Sequence, residues 1–286
     1  MTGGGCTGKP PPVTLVRIAC VQLAPEVGDG EGNRLRARSA IEASVAAGAE
    51  LVVLTELCTS GYVFESEEEA HSLALRPEEL SEWCVEGAYV VGGFPELADD
   101  GTLFNSAALV GPEGVLAVYR KTHLWDREKL FFEPGAEAPP VIETPLGKIG
   151  ICVCYDLSFP EVPRGLALAG ADLIAVPTNF PLTSPVPYGE KPIELVVAMA
   201  AAHVSRVFIA LCDRAGSERG VDWVGATAIV DHRGLVVAGP VGLGEGTVVA
   251  DCELERARDK AWTERNDALG DRRPELYAAS EPAAAP

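Results

Sequence analysis

The stretch Lys148–Glu161, KIGICVCYDLSFPE, decides the architecture. Its first half, with Ile149, Ile151, Cys152 and Val153, is apolar almost without alternation. A strand of that kind is buried on both faces and needs a packed layer on each side. The second half changes character. Tyr155–Asp156 begins a turn, and Pro160–Glu161 starts a helix whose positive end favours Glu161. Cys154 therefore stands where a buried strand becomes a helix, and such strand ends are where α/β sheets carry their sites. Main-chain N–H groups and a helix terminus can lower a thiol's pKa and make it nucleophilic. The competing reading is a buried, inert cysteine. Cys152, on the same face if the strand continues, fits that reading. No second Cys/His cluster at ligand spacing supports a metal.

Outward from this segment, β-type runs recur. They begin near Val16, Glu50, Tyr89 and Asn105 upstream, and near Asp172, Val207, Gly225, Gly234 and Gly246 downstream. Helical patterns alternate with them at about 33–47, 77–85, after Pro160, and 190–204. The order makes an α/β layered protein, and hairpins at Phe104–Tyr119 and Gly225–Val237 make its sheets mixed. No internal linker or short-period repeat is visible, so the expectation is one domain over 15–280. A flexible Gly/Pro leader at 1–14 and a flexible tail at 281–286 flank it.

Two further strand ends carry polar residues. In LVVLTELCTSGY, beginning at Leu51, Glu56 follows the apolar Leu51–Leu54. Desolvation there raises a carboxylate's pKa, which suits a general base, although a salt-bridged structural glutamate reads equally well. In VYRKTHLWDREKLFFEPG, beginning at Val118, Lys121 closes a strand that starts near Leu116. Alone this is a solvated charge run. Phe131–Phe132 and the turn at Pro134–Gly135 would instead pin the loop to the body.

Composition excludes several classes. A net charge of −19 opposes nucleic acid and anionic membrane surfaces as partners. The longest apolar runs are too short to span a bilayer. Eight cysteines without a short-loop framework or secretory signal suggest a reduced, cytoplasmic protein. None of the four histidines has the sequence context of a cysteine-protease partner, though His123, two residues past Lys121, is the one to watch.

Taken together, these segments resemble the nitrilase, or carbon–nitrogen hydrolase, superfamily. Glu56 in TELCTSGY, Lys121 in YRKTHL and Cys154 in CVCYDLSFPE match in order, spacing and neighbours. GGFPE at Gly92–Glu96, PTNF at Pro177–Phe180 and DRRPELY at Asp271–Tyr277 match as well. The likeness covers about Val16 to Tyr277. It implies a four-layer α-β-β-α sandwich, a homodimer or higher homo-oligomer joined through a helical layer, and neither metal nor organic cofactor. It implies Glu56 as general base, Cys154 as nucleophile, and Lys121 with the Tyr155 main-chain N–H as oxyanion donors. The accessory glutamate of many family amidases looks like Glu128, with Glu133 as second choice.

CYDLSFPE is similar to the amidase-type branches, including ω-amidase-like enzymes and the 5-aminopentanamidase group. That likeness implies hydrolysis of a linear aliphatic carboxamide to acid and ammonia. N-carbamoyl hydrolysis is the alternative within the enzyme class. A catalytically silent binding member, an acyltransferase and a glutaminase partner of a synthetase are alternatives from elsewhere. Two departures bear on the pocket. The stretch Ser66–Trp83 is short, and Ser158 stands where many relatives carry arginine, which weakens recognition of an anionic chain end. Tyr62, Trp125, Asn179 and Phe180 are candidate substrate-binding residues, with ordinary packing as the competing reading.

Overall fold

The computed structural model describes residues 14–183 and 190–277. The leader, except Thr14, and the tail expected from the sequence lie outside these residues. In chain order the elements are β1 (Val16–Gln22), α1 (Gly30–Ala46), β2 (Leu51–Val53), α2 (Glu67–Ser72), β3 (Tyr89–Leu97), β4 (Leu103–Gly111) and β5 (Gly114–Arg120). Then come β6 (Val141–Thr144), β7 (Gly147–Ile151), α3 (Glu161–Leu168), β8 (Leu173–Pro177), α4 (Ile193–Ser205) and β9 (Phe208–Cys212). The chain continues through β10 (Ser217–Glu218), β11 (Val221–Asp222), β12 (Ala228–Val230), β13 (Val236–Ala238) and β14 (Gly246–Cys252). It closes with β15 (Ala261–Thr263), β16 (Asn266–Asp267) and α5 (Pro274–Tyr277).

Two six-stranded mixed sheets form the body, in the orders β14-β1-β2-β3-β4-β5 and β13-β12-β9-β8-β7-β6. Each has three parallel central strands, β1-β2-β3 in one and β7-β8-β9 in the other, extended by antiparallel neighbours. The two sheets thus repeat one topology, a relation far too long in period to show as a sequence repeat.

The period of two sorts side chains between layers. In the first sheet Ile18, Cys20, Leu51, Val53, Val91 and Leu109 face the second sheet and share its core with Ile149, Ile151, Leu173 and Ala210. Their neighbours Ala19, Val21, Val52, Leu54, Val90 and Val110 face outward, onto Ala37 and Ile41 of α1 and onto Leu80 and Trp83. On the far side Leu166 of α3 and Leu195, Ala198 and Ala202 of α4 cover the second sheet. The result is the four-layer α-β-β-α sandwich.

Some local expectations needed revision. The 77–85 helix is a 3-10 segment, Pro77–Trp83. The short helix α2, capped by the Ser66 side chain on the Glu69 N–H, precedes it. The strand carrying the CxC pair ends at Ile151, so Cys152 and Cys154 do not share a strand face. Cys154 instead has φ +47° and opens a 3-10 turn over Cys154–Ser158. The seven cysteines among the described residues are all free thiols.

Candidate active site

Glu56, Lys121 and Cys154 come from the carboxyl ends of β2, β5 and β7. The Lys121 ammonium, fully buried, donates to Glu56 Oε1 at 2.7 Å and to Glu128 Oε1 at 2.7 Å. Asn105 Nδ2 donates to the same Glu56 oxygen at 2.8 Å. Glu56 Oε2 has no protein partner among the described residues. Burial pushes the Glu56 carboxyl up to about 7 against the pull of Lys121, and Glu128 adds to the rise. Burial alone would lower the Lys121 ammonium, but the two carboxylates outweigh it and hold the lysine well above its ordinary range.

Cys154 departs from the expected lowering of its thiol pKa. Burial and the negative charges of Glu56 and Glu128 push it well above the ordinary thiol range, with Lys121 pulling the other way. A helix terminus does not compensate for two carboxylates facing the same thiol. A thiol held this way would need a base to take its proton before it could attack. Its Sγ points at the Asn179 carbonyl, 3.9 Å away.

The accessory carboxylate of the lysine is Glu128, which is buried, whereas Glu133 is exposed. Tyr62 Oη donates to Glu128 Oε1, and the Trp125 N–H donates to Oε2 at 3.2 Å. As expected, the loop after Lys121 is pinned. The Gly135 N–H donates to the Lys121 carbonyl at 2.9 Å, and Phe132 packs edge-on against Phe64.

Several positioning residues escaped the reading of the sequence. Asp156 is fully buried and accepts from the Val153 N–H at 2.9 Å, Tyr119 Oη at 2.9 Å and the His123 N–H at 3.1 Å. It thereby ties the Cys154 turn to the loop carrying Lys121. His123 faces Asp156 through Nδ1 at 2.7 Å and stacks on Phe159, so it is not the thiol's partner. Gly93 lies against the Glu56 turn. A Cβ there would meet Leu57 N at 2.5 Å and Glu56 Cα at 2.6 Å, which explains a glycine inside GGFPE. Glu96 of that motif holds Arg120, the neighbour of Lys121, at 2.6 Å. The only signal for Asp156, Gly93 and Glu96 was their membership of the motifs.

A cavity of about 140 Å³ opens at Cys154, with Trp125, Tyr155, Ser158, Phe180 and Glu194 on its walls. A second, of about 100 Å³, holds Tyr62, Glu128 and Trp223 and shares Trp125 and Pro181 with the first. Trp125 and Phe180 thus border the cavity at Cys154, and Tyr62 borders the adjoining one. Asn179 is fully buried and spends its amide on the Glu56 carbonyl at 2.9 Å, which makes it a brace. DRRPELY lies elsewhere, hydrogen-bonded within its own C-terminal turn. Among the described residues no group of three or more His, Cys, Asp or Glu could hold a metal, and no helix is long and apolar enough to cross a membrane.

The carbon–nitrogen hydrolase family profile matches residues 17–261. A protein named nitrilase from Pyrococcus abyssi is 36% identical, covering 92% of this chain and 99% of its own. An (R)-stereoselective amidase from Pseudomonas sp. is 34% identical, covering 90% of this chain and 92% of its own. The crystal structure of an amidase from Nesterenkonia sp. superposes with a TM-score of 0.77 at 27% identity, covering 93% of this chain and 96% of that one. A glutamate-to-glutamine mutant of that amidase carries the acetamide moiety of fluoroacetamide covalently on its active-site cysteine.

Proposed function

Because the chain belongs to the carbon–nitrogen hydrolase family, we propose that this amidase-type hydrolase cleaves linear aliphatic carboxamides through a thioester on Cys154. The observation that carries the reading is the charge arrangement. A thiol that opens onto a small cavity lies within the field of the buried Glu56 carboxyl, which keeps one oxygen unpartnered among the described residues, and of an ammonium fixed between Glu56 and Glu128.

In the proposed reaction Glu56 takes the thiol proton as Cys154 Sγ bonds to the amide carbon. The carbonyl oxygen becomes an oxyanion, stabilised by the Lys121 ammonium and the Tyr155 N–H. Each such donor contributes about 3–4 kcal/mol in well-studied cases. Collapse breaks the carbon–nitrogen bond, and Glu56 returns its proton to the departing ammonia. A thioester remains. Glu56 then deprotonates a water that attacks the thioester carbon, and the acid leaves as the thiol recovers its proton. Glu128 holds Lys121 from the other side and faces the position of the substrate amide.

The test is ammonia and carbon dioxide release from matched carboxamides, N-carbamoyl amines and nitriles. Ammonia alone from carboxamides supports the reading. Ammonia with carbon dioxide, from the carbamoyl set only, would replace it with carbamoyl hydrolysis. Turnover of nitriles alone would replace it with a nitrilase.

A further inference from the structure

We propose that Glu194 selects amides whose far end carries a positive charge, by facing that end in the cavity that Cys154 opens into. The proposal rests on the amidase reading above and names its substrate class.

Glu194 stands in the first turn of α4, half-buried, on the wall of that cavity. Among the described residues lining it there is no lysine, arginine or histidine, and Glu194 is the one carboxylate. The remaining wall includes Trp125, Tyr155 and Phe180, whose rings suit an alkyl chain and tolerate a cation on their faces. Ser158, on the same wall, is small and uncharged and gives a carboxylate a single hydroxyl donor but no countercharge.

Behind Cys154 the charge count points the same way. Two carboxylates, Glu56 and Glu128, share the single ammonium of Lys121. An anionic substrate end would meet Glu194 in front and this acidic cluster behind. An ammonium end meets attraction from both. The cavity, about 140 Å³, is close in volume to one that holds benzene, so a short chain is enough to fill it.

The experiment compares kcat/KM for amides differing only at the far end, at two chain lengths. The sets are γ-aminobutyramide, valeramide and glutaramate, and δ-aminovaleramide, hexanamide and adipamate. The expected order is ammonium over methyl over carboxylate. Glu194→Gln should cut the ammonium-to-methyl ratio by about two- to fivefold, the worth of a partly exposed ion pair. Glu194→Lys should move the preference toward the carboxylate. A wild-type preference for the carboxylate, or an ammonium-to-methyl ratio unchanged in Glu194→Gln, overturns this inference while the amidase reading stands. No turnover of any of the six overturns both.

Discussion

At Glu56 the chemistry turns on how two buried carboxylates share one ammonium. A base works only when ionised, and burial has raised this carboxyl from 4.5 to about 7. The sign follows. As pH falls through that value the base becomes protonated, so kcat/KM on a neutral amide should drop about tenfold per unit below it. Because the group is coupled to its neighbours, the observed midpoint belongs to the cluster. Glu128 adds to the rise, so Glu128→Gln should move this acid limb to lower pH while lowering kcat by roughly 10²-fold through the misplaced lysine. A pH–rate profile of both proteins checks this. An unmoved limb would mean that Glu128 does not act on Glu56.

Between elements, the site is held by short ties across turns. Asp156→Ala would leave the Tyr119 hydroxyl and the Val153 and His123 N–H groups without their acceptor. The expected loss is about 2–4 kcal/mol, read from urea denaturation, with activity falling as the Cys154 turn loosens from the Lys121 loop. Gly93→Ala would force the Glu56 turn off β3. It should cost about 1–3 kcal/mol and a disproportionate share of kcat. Unchanged kcat in a folded Gly93→Ala protein would show that the turn tolerates displacement. The strands were legible because buried runs such as Leu51–Leu54 and Ile149–Val153 carry their burial in composition. The candidate triad stood out because its members end those runs within motifs. The thiol's raised pKa was not, since it depends on carboxylates 98 and 26 residues away along the chain that only the fold brings near. Glu194 was silent for the same reason, being an ordinary first-turn glutamate until the fold sets it on the cavity wall.

At the scale of the whole molecule, the outer face of the α3–α4 layer remains apolar. Leu168, Ile193, Val196, Val204 and Trp262 are exposed there. Ile193, Val196 and Val204 recur at spacings that keep one helix face. A homodimer closing over this face is the expected assembly, as the superfamily resemblance implies. Sedimentation should show a dimer that the Val196→Glu, Val204→Glu double variant converts to monomer. A wild-type monomer at tens of micromolar would contradict it. The sandwich itself depends on both sheets sharing one core, so core substitutions in either should destabilise the whole.

The central claim, that Cys154 forms the acyl-enzyme, is tested most directly by ammonia release from a turned-over carboxamide by Cys154→Ala beside the wild type, with both shown to be folded. A loss of at least about 10⁴-fold is predicted, in the range seen when a nucleophile is removed. A folded Cys154→Ala protein retaining turnover within about tenfold of wild type would contradict the account.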